Sequence, residues 1–400
     1  MAAAVDDVPL LVRVLAGNPV TGACVLSCLT AADTRALRRL HVAVAGAVAA
    51  VPWADTDTAV VDAVRWRAAL PAAVHARLAM PAVAGVLSRD AAVKALAGVV
   101  HMDLHHCLNV TDELLHRLPA SLRTLSVREC NNLTARASFA PLAALVALDC
   151  TGTDTGTGNG ARVEAAGLPP SLEELNVSYR TFGSSSAGVS LAHLRQLRVL
   201  RASTSDLGAH TLASLQPGLV ELDVRGCTDL AAAAASSFAH LHALQKLHAA
   251  ASGFDDAALA TLPPSLVYLG TRSCRHLTPA AVLPPLPALR VLDVCNTNVG
   301  DALVASLPAG LEELCMVECS GVTERATLDH VPALRALYSM GTALARAVVA
   351  ACHARGCAAP AAEEFRGHSR SVTALAVLAD GRLASGDEGG EVRLWDAAAG

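Results

Sequence analysis

The stretch Leu289-Arg290-Val291-Leu292-Asp293-Val294 carries the spacing that decides the fold of this chain. Its pattern is leucine, two variable residues, leucine, one variable residue and a third, mostly apolar residue. The pattern starts eleven times, at intervals of 22 to 27 residues, at Val99, Leu122, Leu145, Leu172, Leu197, Leu219, Leu244, Leu266, Leu289, Leu311 and Leu334. A period of roughly 20 to 29 residues predicts a solenoid in which each unit adds one short strand and one returning segment.

Two kinds of repeat alternate along the solenoid. One kind is preceded by a proline-containing segment, as in LPPSL at Leu168 and Leu262, LPASL at Leu118 and LPAGL at Leu307, with a weaker copy at Gln216. The other kind has no such proline segment. Starts of the same kind lie 45 to 52 residues apart, so a doublet is the predicted unit.

Five cysteines follow the repeat phase, each eight residues after a start: Cys107, Cys130, Cys227, Cys274 and Cys319. In four of them the text continues as C-x-x-[LV]-T. This resembles the cysteine-containing class of leucine-rich repeats over about 260 residues, and the resemblance implies an α/β solenoid of about 11 repeats. We expect each thiol to pair with backbone groups of a turn rather than to serve redox or metal chemistry. The threonine, as in Thr278-Pro279, predicts the N-cap of a helix on the convex side.

Side chains three, five and seven of each repeat should face the open concave side, because residues alternate across a strand. Repeats of this class usually bind proteins on that face, which is what the resemblance implies. The alternative is a solvated face without a partner. The predicted protein-binding residues are Arg128, Asp149, Asn176, Arg201, Asp223, Arg225, Arg272, Asp293 and Tyr338.

The first 95 residues lack the leucine period and predict helices. Val25–Val44 (VLSCLTAADTRALRRLHVAV) resembles the middle of an F-box, and the order F-box then leucine-rich repeats is common among F-box substrate receptors. The resemblance implies docking of a Skp-type adaptor of a cullin ubiquitin ligase through Leu26, Leu29, Leu37 and Leu40. The alternative is a helical cap over the end of the solenoid core.

The C-terminal segment resembles one WD repeat. Gly367-His368 opens it, Asp380-Gly381 predicts a turn between strands, and Trp395-Asp396 closes it. Because one blade cannot close a propeller ring, we expect further blades beyond Gly400. The predicted organisation is a helical F-box-like or capping region over 1–95, the solenoid over 96–355, and a linker with one blade over 356–400.

No arrangement of nucleophile and base predicts an enzyme, and we predict no cofactor and no metal site. One alternative is a metal-dependent activity at His101, Asp103 and His105, which would project from one face of a strand. The glycine-rich stretch 151–160 lacks the ending of a phosphate-binding loop and favours a flexible insertion.

The composition favours a protein partner over nucleic acid or a membrane. The chain is 53% hydrophobic and 17% charged with a formal charge of −5, and no apolar run of about 18 residues occurs. We therefore predict a non-catalytic recognition module in the cytoplasm or nucleus, serving as the substrate receptor of a Skp/cullin/F-box-type ubiquitin ligase. The alternative is an intracellular scaffold or inhibitor-type solenoid with no ubiquitin link.

Overall fold

One long parallel sheet dominates the structure. The computed structural model describes residues 59–78, 82–134, 136–152, 162–182, 189–230, 237–344, 346–357, 372–377, 383–387 and 392–395. Thirteen strands of these residues form one sheet whose order follows the chain. They are β1 (Ala59–Val60), β2 (His75–Leu78), β3 (His101–Asp103), β4 (Thr124–Ser126), β5 (Ala147–Asp149), β7 (Glu174–Asn176), β9 (Val199–Arg201), β10 (Glu221–Asp223), β11 (Lys246–His248), β12 (Tyr268–Gly270), β13 (Val291–Asp293), β14 (Glu313–Cys315) and β15 (Ala336–Tyr338).

Eleven of these strands begin two residues after the predicted repeat starts. Equivalent residues pair across every neighbour: in β13 and β14, for example, Val291 pairs with Glu313, Leu292 with Leu314 and Asp293 with Cys315. The central residue of each strand is buried and its two neighbours are more exposed. An open parallel sheet with one repeat per strand is an α/β leucine-rich-repeat solenoid, so the predicted fold class is confirmed for this part of the chain.

The prediction of a purely helical region up to residue 95 is wrong for the part that the structure describes. Strands β1 and β2 lie within it and extend the sheet ahead of β3. Ala73, Ala76 and Leu78 occupy the three apolar positions of a repeat, and all three are buried. Two of the three leucines are replaced by alanine, which is why the leucine pattern misses this unit.

Short helices α5 (Ala209–Ala213), α6 (Asp256–Ala260) and α7 (Asp301–Ala305) lie on the returning side of the solenoid. Helices α5, α6 and α7 all follow repeats that lack the proline segment, and each ends just before the next proline-containing segment. These three helices fall in every second repeat, and the doublet unit stays a prediction. The described helices are α1 (Ala63–Ala69), α2 (Ala82–Leu87), α3 (Asp90–Ala95), α4 (Asp112–Leu115), α5 (Ala209–Ala213), α6 (Asp256–Ala260), α7 (Asp301–Ala305) and α8 (Arg346–Ala354), with a 3-10 turn at Ala165–Gly167 and another at Thr228–Leu230.

The threonines of the C-x-x-[LV]-T text do not cap helices as predicted. Turns follow Thr134, Thr278 and Thr323, and Thr111, which does precede α4, makes no side-chain capping bond. Thr134, Thr278 and Thr323 instead each bind an aspartate of the preceding repeat. That aspartate is the first residue of the helix in its repeat. Thr323 donates its backbone N–H to Asp301 Oδ1 (2.7 Å) and its hydroxyl to Asp301 Oδ2 (2.6 Å). Asp112 binds Thr134, and Asp256 binds Thr278, in the same way.

The cysteines of the repeat phase form a buried ladder, as predicted. Each donates its S–H to a backbone carbonyl of the preceding repeat: Cys274 to Ala249 and Cys319 to Val294, both at 3.0 Å. Burial raises the pKa of Cys130 to about 12, although a backbone hydrogen bond lowers it in part. These groups therefore stay protonated donors inside the core.

The turn after ten of the described strands contains a residue in the left-handed region of backbone space. The position falls seven residues after the repeat start, and glycine occupies it at Gly226 and Gly341. Eight other repeats place a residue with a side chain there, with φ between 53° and 63°, including Ala251, Asn296 and Glu318. The shape of the solenoid therefore depends on this turn even where the sequence does not provide glycine.

Two smaller sheets complete the described elements. Strands β6 (Arg162–Val163) and β8 (Thr181–Phe182) pair with each other, and β16 (Val372–Val377), β17 (Leu383–Asp387) and β18 (Val392–Trp395) form an antiparallel sheet. Strand β18 includes Trp395 of the WD-like text. A complete blade has four strands, so the WD repeat stays a prediction.

Candidate functional face

The concave face consists of the outward side chains at positions three, five and seven of each repeat. All nine predicted binding residues lie in columns five and seven: those of column five end strands of the long sheet, and those of column seven lie in the turns that follow. The inward leucines at position four hold these columns in register, since Leu222, Leu247, Leu269, Leu292 and Leu314 are all fully buried.

Several acidic and amide side chains of column five are engaged by their own turn. An oxygen of Asp103, Asp149, Asn176, Asp223 and Asp293 accepts the backbone N–H two residues later, at 2.9 to 3.1 Å. These bonds end the strands, because they satisfy an N–H that the sheet leaves free. Column five therefore has a structural role that the sequence analysis did not predict.

Asp223 and Arg225 form an ion pair on this face in which two guanidinium nitrogens bind both carboxylate oxygens. Asp223 is 4% exposed, and Arg225 Nη2 lies 2.7 Å from its Oδ2 while Nε lies 3.0 Å from Oδ1. Burial alone would raise the pKa of Asp223, but the hydrogen bonds from Arg225 hold that pKa below its usual value. Arg225 is thus committed to the fold as well as to the face, and so is Arg201, whose Nη2 lies 2.8 Å from Glu221 Oε1.

Two arginines of column seven remain available to a partner. Arg272 is exposed and forms no ion pair with the described residues. The side chain of Arg128 is 52% exposed, and its only ion-pair contact in this part of the chain is 3.7 Å long, to Glu129. Of the predicted binding arginines, these two are the least engaged by ion pairs with the described residues, since Arg201 and Arg225 are each held by a carboxylate oxygen within 2.8 Å.

A shallow groove crosses the N-terminal half of the face. Its volume is about 540 Å³, and its lining runs from His75 across Asp103, Arg128 and Asp149 to Arg201. Backbone and apolar side chains form its floor, and groups of both charge signs form its rim. The shape suits an extended ligand that lies across several strands.

The structure does not assemble the alternative metal site at His101, Asp103 and His105. His101 Nδ1 lies 2.7 Å from Thr124 Oγ1, and Asp103 Oδ1 accepts the backbone N–H of His105. The His105 ring stacks on that of His106 instead, with ring centres 5.2 Å apart. The ligand atoms of this triple do not converge.

The C-terminal half of the face is less polar and contains a pair of cysteines. Tyr338 is 38% exposed and Met340 is 49% exposed. Cys295 and Cys315 form a disulfide, with Cα atoms 5.9 Å apart. Among the described residues, Asp293, Cys295 and Cys315 are the one group of three potential metal ligands whose donor atoms all lie within 4.8 Å of one another. Of these three residues only Asp293 was predicted to bind, and the spacing of the repeats does not show that Cys295 and Cys315 meet, because they occupy columns seven and five of different repeats.

The predicted adaptor-binding residues Leu26, Leu29, Leu37 and Leu40 lie outside the described residues, as does most of the glycine-rich insertion. Within the described part of the chain, no helix has the length and apolar character needed to cross a membrane.

The comparisons with known proteins concern the fold. No family model and no curated protein matches the chain. Among solved structures, an internalin from Listeria monocytogenes is similar over 70% of this chain and 78% of its own, with 16% identity and a TM-score of 0.48. A leucine-rich-repeat protein from Leptospira interrogans is similar over 73% of this chain and 91% of its own, with 14% identity and a TM-score of 0.40. At these levels of similarity, the chain's function has to be argued from its own surface.

Proposed function

We propose that this protein recognises another protein on its concave face and contributes no catalysis itself. The observation that carries the proposal is that columns five and seven of that face have different roles. Column five is largely bound to the turns, whereas column seven presents Arg128 and Arg272 to solvent in hydrogen-bonded turns directly after β4 and β12. Rigid presentation favours binding, because little side-chain and backbone freedom is lost on association.

The surface also indicates the chemistry of the partner. Exposed guanidinium groups pair best with carboxylates, which they can bind through two parallel hydrogen bonds. Tyr338 and Met340 at the C-terminal end offer an apolar contact of the kind that is enriched at interfaces. The partner we propose is therefore a protein segment with acidic groups and an apolar residue at one end.

Charge reversal tests this function. We expect Arg128→Glu combined with Arg272→Glu to abolish capture of proteins that the wild type retains from a lysate, measured by quantitative mass spectrometry. The control is Arg136→Glu with Arg325→Glu, which changes the net charge equally on two exposed arginines in the turns after Thr134 and Thr323. If both double variants lose the same proteins, net charge explains the loss and the concave face does not.

We further propose that the bound protein is a substrate and that the chain is the substrate receptor of a Skp/cullin/F-box-type ubiquitin ligase in the cytoplasm or nucleus. This proposal is supported by the F-box resemblance of Val25–Val44 and by its position ahead of the repeats. The protein would then contribute proximity, holding a substrate near a ubiquitin-carrying enzyme.

A binding experiment with a purified Skp-type adaptor separates this proposal from a scaffold without a ubiquitin link. We expect the full chain to bind the adaptor and a Leu26→Asp, Leu29→Asp variant to lose it while keeping concave-face capture. A wild-type chain that does not bind the adaptor would leave the scaffold or inhibitor-type solenoid as the function. In neither case does the result depend on the arginines of the concave face.

A further inference from the structure

The pair Cys295 and Cys315 differs from the ladder cysteines in what surrounds it. Ladder thiols face the core and donate to backbone carbonyls, as Cys319 does to Val294 at 3.0 Å. Cys295 and Cys315 instead project from the concave side of the sheet, where their sulfur atoms meet each other and the carboxylate of Asp293. Three donor groups from two neighbouring repeats therefore converge on one place.

The carboxylate of Asp293 lacks the second, side-chain partner that several residues of column five have. In the equivalent repeats, the residue two positions later also binds the acidic or amide side chain: the Thr151 hydroxyl donates to Asp149, the Ser178 hydroxyl to Asn176, and the Arg225 guanidinium to Asp223. Cys295 occupies that place beside Asp293, and its backbone N–H is the one group of the described chain that donates to this carboxylate, at Oδ1 and 3.0 Å. Oδ2 is left for another ligand.

We propose that Asp293, Cys295 and Cys315, with both thiols reduced, bind one zinc ion on the concave face, and that the Cys295–Cys315 disulfide is the oxidised form that cannot bind it. Thiolate sulfur and carboxylate oxygen are donors that zinc accepts, and two sulfurs make the set too soft for magnesium or calcium. Three protein ligands leave the fourth tetrahedral position open to water or to a side chain of a bound partner.

The reduced dithiol leads to each of the two forms by a balanced step. Binding replaces the two thiol protons with the zinc ion and releases both protons to solvent. Oxidation by a peroxide removes two electrons and two protons from the thiols, joins the sulfurs, and reduces one peroxide molecule to water, or to water and an alcohol. Zinc loaded on two thiolates and one carboxylate leaves one net negative charge. Arg272 lies in column seven of the neighbouring repeat, where the Ser273 N–H donates to the Cys295 carbonyl at 2.9 Å, and can offset that charge.

Metal analysis of the full chain, prepared without a histidine tag, tests the site. After reduction, exposure to zinc and removal of free ion, we expect one zinc per chain in the wild type and none in Cys295→Ser or Cys315→Ser. Asp293→Asn keeps the hydrogen bond of the turn through its Oδ1 but removes the carboxylate. It should weaken zinc binding at least about tenfold, because the loss of a residue that only supports a ligand already lowers the metal affinity of a site by about that factor. Asp149→Asn, a matched change in the same column, and Cys274→Ser, a change of one ladder thiol, should bind as the wild type does.

A second measurement needs no variant. Zinc should protect Cys295 and Cys315 from alkylation in the reduced protein, and peroxide treatment should abolish zinc uptake while joining the same two cysteines, both read by peptide mass spectrometry. Cobalt should give the thiolate charge-transfer absorption of a tetrahedral site. Reduced wild type without stoichiometric zinc, or zinc that survives both cysteine substitutions, would overturn the proposal.

Discussion

The repeats that contain Asp223 and Asp293 share one backbone but differ in chemistry. In both, a buried leucine anchors the strand, and an aspartate ends it by accepting the backbone N–H two residues later. The residue at that later position is Arg225 in one repeat, where it closes the carboxylate, and Cys295 in the other, where it leaves one oxygen open. The inward residues thus determine the backbone geometry. The side chain at one outward position determines whether the aspartate carboxylate is occupied within its own repeat or can bind a ligand.

The largest expected effect tests whether the two backbones are equivalent. Leu222 and Leu292 are both fully buried at the same position of their repeats, so Leu222→Ala and Leu292→Ala should each lower the free energy of unfolding by about 2–5 kcal/mol. Denaturant titration measures both. Costs that differ by more than about 2 kcal/mol, beyond the usual spread for one chemistry, would show that the two repeats are not anchored alike.

The next effect tests the difference between Arg225, which is held in an ion pair, and Arg272, which forms none with the described residues. Arg225→Ala leaves Asp223 buried without its partner and should cost roughly 1–3 kcal/mol, whereas Arg272→Ala should stay within about 0.5 kcal/mol. The comparison predicts a stability cost for the first variant and a binding cost for the second. Equal costs would remove the distinction between the two arginines.

The Asp223–Arg225 pair also has a pH dependence with a definite sign. The folded state lowers the pKa of Asp223, so the resulting stability is complete above the ordinary aspartate pKa of about 4 and is lost as the pH falls through the folded pKa. The difference in unfolding free energy between the wild type and Arg225→Ala should therefore shrink on acidification below about pH 4. A difference that grows with acid would contradict the assigned ion pair.

The smallest expected effect concerns the turn that follows each strand. Gly226 has φ of +70°, and a Cβ there would lie 2.9 Å from Thr204 Oγ1, so Gly226→Ala should cost about 1–2 kcal/mol. Asn296 holds the same turn with φ of 55° and already accommodates a Cβ, so Asn296→Ala should cost less than about 1 kcal/mol. Thermal unfolding of the two variants makes the comparison, and a reversed order would mean that the turns differ.

The sequence predicted the periodic part of the fold well, because burial of leucines at a fixed spacing leaves little freedom to the strands. It missed the repeat at Ala73, where alanines fill the buried positions, and it assigned helix caps to Thr278 and Thr323. Those threonines bind Asp256 and Asp301 one repeat earlier, a contact that depends on stacking between units and not on local sequence.

The candidate face was predictable in outline and not in detail. Alternation along a strand predicts which positions face outward, and the nine residues lie at those positions of their repeats. Alternation does not predict that Arg225 binds Asp223 or that Cys295 bonds to Cys315 of the next repeat. Both contacts depend on side-chain directions and on the register between strands. The sequence alone therefore does not distinguish Arg128 and Arg272 from an arginine that is held in a close ion pair, such as Arg225.

The central claim is that the concave face, and not the returning side of the repeats, contacts the partner. Site-specific photo-crosslinking measures this directly, with the reactive group placed at Arg272 on the concave face or at Arg325 in the turn after Thr323, and with the captured protein identified by mass spectrometry. The account predicts a crosslinked partner from position 272 and none from position 325. A crosslink from position 325 together with none from position 272 would contradict it.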